Sequence, residues 1–263
     1  MGKIELLTLT DFALFQDLIL KETGIKLSDT KRTLLQNKIR ERMKIKGIRT
    51  FREYYQYILR HPEEKAYVIN FATTNETYFF REKKHLDYFK KHIVPQFPKL
   101  RIWSAAASVG AEAYTLAMIL KDMGKQFEII GTDINHEVIE KAKRGIYPIT
   151  WAKNIPEEYL KKYCLKGKNE YEGWFMIGNA IKKNVKFKVA NLLYPQKDLG
   201  IFDVIFLKNV LIYFDDKTKK RVVENVLHNL RSGGYLFISL TENIDHLKID
   251  RLKKVETSIY QLK

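Results

Sequence analysis

Cysteine is nearly missing from this chain: Cys164 stands alone among 263 residues. One thiol cannot form an internal disulfide, and it excludes a zinc site built on cysteines. No metal is expected. Long apolar runs are lacking too. Nothing approaches the run of about 18 apolar residues that marks a membrane-crossing helix. Residues Met1 to Leu20 alternate apolar and polar side chains and carry Asp11 and Asp17, unlike a secretory leader. A cytoplasmic protein without membrane insertion is the expectation. Internal repeats and low-complexity runs are absent. So is any Ser-His-Asp or Cys-His arrangement that would announce an activated nucleophile.

What the chain has in excess is positive charge, with 47 Lys and Arg against 31 Asp and Glu, a net of +16. Such a field suits nucleic acid, anionic lipid or an acidic protein face, and it equally suits a well-solvated surface. The density is greatest between residues 31 and 52, where nine Lys or Arg accompany one acid, Glu41. Lys31, Lys38 and Arg42 are spaced i, i+7, i+11, which places them on one helical face.

The first 70 residues or so read as short helices. Thr10 is a candidate cap for a helix carrying Phe12, Phe15 and Ile19, with Gly24 as its stop. Ser28 is a candidate cap for a second, with Leu35, Ile39 and Met43 as its buried stripe and Gly47 as its end. A third covers Phe51 to Leu59. From about Leu100 strands alternate with helices: strands at 101–106, 127–131, 185–189, 204–207 and 235–240, helices at 110–121, 136–144 and 217–230. Gly233-Gly234 reads as the turn after the last helix, and 253–262 as one closing strand. This order predicts an α/β unit with a mostly parallel sheet covered on both faces. The alternation lapses between Pro148 and Asn184, which reads as an inserted subdomain.

In a parallel sheet a ligand binds beyond the carboxyl ends of the strands. The loop Ser104 to Gly110, including Ala105, leaves the first strand with small side chains and a single glycine. That glycine count rules out the dinucleotide fingerprint. Asp133 ends the next strand, 23 residues after Gly110. It is placed either to accept from ribose hydroxyls or to cap the following helix, and the small-residue loop before it favours ribose. Glu112, in the first turn of the next helix, disfavours a pyrophosphate there and tolerates a sulfonium with an amino acid tail.

Four segments resemble the CheR family of chemotaxis receptor methyltransferases. They are Thr73-Thr-Asn-Glu-Thr-Tyr-Phe-Phe-Arg-Glu82, Trp103-Ser-Ala-Ala-Ala-Ser-Val-Gly-Ala-Glu-Ala-Tyr114, Thr132-Asp-Ile-Asn with Gly145-Ile-Tyr147, and Phe202-Asp-Val-Ile-Phe-Leu-Lys-Asn-Val-Leu-Ile-Tyr-Phe214. Their order and spacing cover essentially the whole chain. The resemblance implies a Rossmann-like, S-adenosylmethionine-dependent methyltransferase sheet with an N-terminal all-helical domain (1–72), a linker reaching the cofactor (73–99), and a methyltransferase domain (100–263) with a small inserted β-subdomain (about 148–186). It implies that Asn75, Thr77 and Arg81 reach over the cofactor and that Glu112 and Asp133 line its amino acid and ribose ends. By the same likeness Asn191 and Leu192 bracket the adenine, Lys208 and Asn209 close the pocket, and Tyr213 lies near the methyl group. This sequence departs from the family pattern at Val109, Ala111, Ala113 and Lys208, where the family usually has Thr, an acid, Pro and Arg.

The implied reaction turns S-adenosylmethionine into S-adenosylhomocysteine and esterifies receptor glutamates. A glutamate carboxylate, with a pKa of about 4.3, is already ionised at neutral pH and needs no general base. Arg81 is a candidate for orienting either the glutamate or the cofactor's carboxylate, or else forms a salt bridge; Tyr213 faces the methyl or fills the core. The basic face of Lys31, Lys38 and Arg42 suits the acidic methylation helices of a chemoreceptor, and the β-subdomain is where related enzymes dock a receptor's C-terminal peptide. A monomer is expected. A nucleic-acid methyltransferase is disfavoured because Lys208-Asn-Val-Leu-Ile-Tyr213 lacks the prolines that base-nitrogen chemistry uses. A binding module that has lost transfer is the other rival.

Overall fold

The computed structural model describes residues 6–73 and 76–263. The chain forms two compact units, Met1–Thr74 and Asn75–Lys263. Asn75, one of the expected cofactor residues, lies outside the described residues.

The first unit holds four helices: α1 (Leu9–Thr23), α2 (Arg32–Lys46), α3 (Phe51–Arg60) and α4 (Pro62–Ala72). Thr8, not Thr10, caps α1; its hydroxyl accepts the Asp11 N–H at 3.0 Å. Gly24 and Gly47 close α1 and α2 in the left-handed conformation. Ser28 precedes a short 3-10 turn, Asp29–Lys31, that runs into α2. Thr50 and Glu53 form a reciprocal capping box on α3. Phe12, Phe15, Leu35, Ile39, Met43, Phe51, Tyr54 and Ile58 form the core of this unit.

The second unit opens with α5 (Lys83–Tyr88), which continues through a π turn and a 3-10 turn into β1 (Lys99–Ala105). Then follow α6 (Ala111–Asp122), β2 (Gln126–Asp133), α7 (His136–Arg144) and β3 (Ile146–Pro148). Next come α8 (Glu157–Tyr163), β4 (Cys164–Lys166), β5 (Trp174–Ile177), α9 (Asn179–Lys182) and β6 (Val185–Val189). The chain ends with β7 (Phe202–Leu207), α10 (Asp216–Leu227), β8 (Leu230–Ile238), β9 (Leu252–Glu256) and β10 (Ile259–Leu262). Seven strands form one sheet in the order β6-β2-β1-β7-β8-β10-β9. β6 through β8 pair in parallel, and β10 runs antiparallel to both of its neighbours. From β1 the chain steps outward to β2 and β6, then returns to β7 on the other side of β1. That switch opens a crevice at the carboxyl ends of β1 and β7.

Three expectations are corrected. The closing segment is a hairpin of two strands, turning at Thr257-Ser258 with Ser258 at φ +58°. Gly233-Gly234 is not the turn after α10. It lies inside β8, where the register against β7 jumps from Phe202↔Leu230 to Val204↔Tyr235. A Cβ on Gly234 would meet the Asp203 carbonyl oxygen at 2.8 Å, so the close approach of the two strands excludes a side chain there. The inserted sheet has the order β3-β5-β4 and begins at Ile146; Val185 and Lys186 belong to the main sheet instead. Phe79 ties this insert to the core through edge-on contacts with Tyr147 and Trp151.

Candidate active site

The loop leaving β1 is wound tightly because Ala106, Ser108 and Gly110 all take positive φ, at 67°, 50° and 91°. At Gly110 a Cβ would sit 2.8 Å from the Phe187 ring, so glycine is required by space as well as by φ. The winding turns amides toward β2. Ala107 N–H bonds the Thr132 carbonyl at 2.7 Å, and Ser108 N–H bonds Asp133 Oδ2 at 2.9 Å. Asn135 N–H takes Asp133 Oδ1 at 2.9 Å. Burial pushes the Asp133 carboxyl above its ordinary range, against the pull of these amides. A carboxylate has about four lone-pair sites and the Ser108, Asn135 and Ile134 amides draw on three, so acceptor capacity remains for a ligand. Asn191 and Leu192 follow directly on β6, where Ala190 N–H bonds the Asp133 carbonyl at 2.9 Å.

Glu112 sits in the first turn of α6, where the helix dipole favours an anion. Ser104 Oγ donates to its Oε1 at 2.7 Å, and Lys208 Nζ lies 3.4 Å from its Oε2. Lys208 directly follows β7, is buried, and lies 3.2 Å from Glu82 Oε2. Asn209 follows at φ +59°, a conformation that Asn tolerates better than most residues. Its Nδ2 donates to Ser239 Oγ at 2.8 Å, and that hydroxyl donates to Glu82 Oε1 at 2.6 Å. Burial would raise the Glu82 carboxyl, but His85, Lys208 and Ser239 together hold it at about 2.

Tyr213 is half-buried on the 3-10 turn Leu211–Tyr213 just past β7. That turn is held by Glu242, whose carboxylate accepts N–H from Ser239, Asn209 and Ile212 at 2.8, 3.1 and 3.2 Å. Burial raises the Glu242 carboxyl, and the amides oppose the shift. Thr77 is half-buried. Arg81 is half-buried and engaged within its own segment: Nη1 donates to the Glu76 carbonyl at 3.0 Å, and the guanidinium lies 5.5 Å from the Tyr78 ring centre.

Of the expected site residues, the fold gathers Ala105, Glu112, Asp133, Asn191, Leu192, Lys208 and Asn209 at the carboxyl ends of β1, β2, β6 and β7. The basic face of the first unit is a different matter. Arg42 is not a free cation awaiting a receptor. Its guanidinium is bonded to Glu64, with Nε 3.1 Å from Oε2, and lies 4.8 Å from the Tyr67 ring centre. Lys46 Nζ adds 3.1 Å to the same carboxylate. Lys38 pairs with Glu41 at 3.2 Å. Lys31 ends the 3-10 turn before α2.

Residues 75–260 match the CheR methyltransferase SAM-binding domain, and residues 10–73 match the CheR methyltransferase all-alpha domain. The chain belongs to the CheR methyltransferase family. It is 36% identical over 253 residues to a chemotaxis protein methyltransferase of Escherichia coli, covering 93% of this chain and 88% of the relative. It is 33% identical over 248 residues to chemotaxis protein methyltransferase 2 of Pseudomonas aeruginosa, covering 91% and 88%. As a CheR methyltransferase, the chain is an S-adenosylmethionine-dependent enzyme. The residues present fit that cofactor, because Glu112 and Asp133, the two carboxylates against this loop, keep acceptor capacity for N–H and O–H donors of a ligand.

The departures from the CheR pattern also have local explanations. Ala111 is fully buried in α6, where an acid would have no water, and Ala113 is fully buried in the same helix. Val109 contributes its carbonyl to Tyr147 Oη at 2.6 Å, a contact indifferent to its side chain. Lys208 spends its ammonium on Glu82 and Glu112, which does not need the fork of an arginine. Glu82, His85, Ser239 and Glu242 were not singled out by sequence reasoning. Glu82 lay within the resemblance string, beside Arg81. Glu242 carries no sequence signal, since its amide partners are defined only by the fold.

Proposed function

We propose that this chain transfers the methyl group of S-adenosylmethionine to glutamate side chains of methyl-accepting chemotaxis receptors, in the cytoplasm and as a monomer, forming glutamyl methyl esters. The observation that supports the reading is the placement of Glu112 and Asp133 against the Ser104–Gly110 loop, Glu112 accepting from Ser104 Oγ and Asp133 from the Ser108 N–H, each with acceptor capacity left. Asp133 takes the ribose hydroxyls and Glu112 the ammonium of the amino acid tail. Asn191 and Leu192 border the adenine. Asn209 and Lys208 close the pocket, and Tyr213 borders the transfer path on a turn fixed by Glu242. Thr77 and Arg81, with Asn75, cover the cofactor from the segment before α5.

The cofactor supplies an electrophilic methyl group on a sulfonium. The receptor carboxylate arrives ionised, so the protein removes no proton. Its task is to align an oxygen with the methyl carbon and to exclude water, and such positioning contributes on the order of 7–11 kcal/mol to catalysis. Acidic methylation helices fit the chain's net charge of +16. A receptor's C-terminal peptide is a further partner, for the three-stranded insert.

The test is transfer of labelled methyl from S-adenosylmethionine to chemoreceptor cytoplasmic fragments. Label released by mild alkali, and reduced by Tyr213→Phe and Arg81→Ala, is the expected result. Alkali-stable label, or label on nucleic acid, overturns the reading.

A further inference from the structure

Lys208 is held between two carboxylates, and the two are not equivalent. Glu82 is the nearer, at 3.2 Å against 3.4 Å for Glu112. Glu82 is also the more firmly held. Its Oε1 accepts from Ser239 Oγ at 2.6 Å, Ser239 accepts from Asn209, and its Oε2 lies 3.1 Å from His85 Nδ1. Both ring nitrogens of His85 face acceptors, Nδ1 the Glu82 carboxylate and Nε2 the Thr257 carbonyl at 3.2 Å. Glu82 itself sits at φ +56°, a left-handed conformation that is uncommon outside glycine. Strain of this kind persists where the surroundings impose it and clusters at working sites. The side-chain polar contacts of Glu82 run to Lys208, His85 and Ser239, and the Glu112 carboxylate keeps lone pairs.

We infer that Glu82 is a positioning residue for cofactor recognition: it draws the Lys208 ammonium away from Glu112 and so leaves the Glu112 carboxylate open to the cofactor's own ammonium. This rests on the reading of Glu112 given above. A buried cation needs a counter-charge. With Glu82 present, Lys208 has one that is not part of the ligand site. With Glu82 neutralised, Glu112 is the acid left within its reach, the pair tightens, and an incoming ammonium must displace Lys208 to bind. The penalty therefore falls on ligands that carry the amino acid tail and spares those that lack it. A role confined to folding would weaken both kinds alike.

The experiment is calorimetry on the full chain with two probes, S-adenosylhomocysteine and methylthioadenosine, which share the adenosine thioether and differ in the tail. Glu82→Gln is expected to weaken S-adenosylhomocysteine about tenfold, the scale of one charge-assisted hydrogen bond, and to change methylthioadenosine by less than about twofold. In a Lys208→Met background the same substitution is expected to have no further effect, since there is no ammonium left to divert. Equal weakening of both probes, or an undiminished effect of Glu82→Gln beside Lys208→Met, overturns the inference. Glu112→Gln separates this from the underlying reading. If Glu112→Gln is tail-selective and Glu82→Gln is not, the inference fails and the Glu112 reading stands. If Glu112→Gln is not tail-selective, the Glu112 reading fails first. Should Glu82→Gln not fold, Glu82→Asp, which withdraws the carboxylate by one methylene, is expected to show the same selectivity at smaller size.

Discussion

Glu64 in the helical unit and Glu82 in the second unit are both acids that burial would push toward the neutral form, and both are held at about 2 instead. Glu64 achieves this with Arg42, Lys46 and the Tyr54 hydroxyl, the last at 2.9 Å. Two cations converge on one acid, and the group is closed on itself. Glu82 shares its cation with a second acid, Glu112, at the mouth of the ligand crevice. The physics is the same and the use differs: a saturated cluster fastens helices together, and an unsaturated one leaves charge available for a ligand. Asp133 is a third case, an acid with backbone amides and no cation, which keeps its acceptor capacity for the same reason.

The comparison is broken most severely at Asp133. Asp133→Ala removes an acceptor for two ribose hydroxyls at about 1.5–3 kcal/mol each, so affinity for S-adenosylhomocysteine is expected to fall on the order of 100-fold or more. Calorimetry reads this directly, and a loss under tenfold would leave Asp133 only the role of holding the Ser108 and Asn135 amides, since Asn135 caps the helix that follows.

At Glu64 the effect moves from binding to stability. Glu64→Gln leaves Arg42 and Lys46 without their anion, though both cations retain some access to water, so the cost is about 2–3 kcal/mol, below that of breaking a fully buried pair. Urea unfolding followed by helical signal checks the cost, while affinity for S-adenosylhomocysteine should stay within about twofold, well short of the Asp133 loss. The pH dependence has a definite sign. The folded carboxyl titrates at about 2 and the unfolded one at about 4.3, so the contribution of Glu64 is complete above the unfolded value and is lost as pH falls through the folded one. The stability gap between native protein and Glu64→Gln should therefore close between about pH 4.5 and 2.

How much of this was legible follows the distance over which each feature is decided. The helix 136–144 and the strand 185–189 were read from the sequence with the bounds they have in the structure, because local periodicity and the flanking Asn135 and Gly145 determine them. Gly24 and Gly47 announced their helix ends for the same reason. Thr8 and Thr10 offered two hydroxyls two residues apart, and only the turn geometry selects Thr8. The hairpin at Thr257-Ser258 was hidden because a left-handed serine took the place where Gly or Asn would have signalled it. Glu64 and Arg42 are 22 residues apart and Glu82 and Lys208 126 apart, so neither pair exists until helices and strands have packed. The positions of Glu112 and Asp133 at the carboxyl ends of β1 and β2 were legible because a parallel sheet delivers its loop residues to one end whatever the details.

The finest division runs through α2 itself, between two residues that the sequence places on one basic face. Lys38 is half-exposed and pairs only one turn away with Glu41; Arg42, one turn further on, is bound to a buried acid of α4. Exposed charges act mainly through the long-range field that steers an acidic partner, and salt screens that field over about 10 Å at 0.1 M. Lys38→Ala should thus leave the unfolding midpoint where it is and raise the KM for a receptor fragment about two- to threefold at low salt, with the difference vanishing at high salt. Arg42→Ala should do the reverse, lowering the midpoint, because the Glu64 carboxylate then keeps only Lys46 as its cation. Methylation rates measured across a salt series, beside urea curves for both variants, decide between them. If Arg42→Ala raises the receptor KM and leaves the midpoint unmoved, its guanidinium leaves Glu64 in solution, and the saturated cluster of the helical unit is not closed after all.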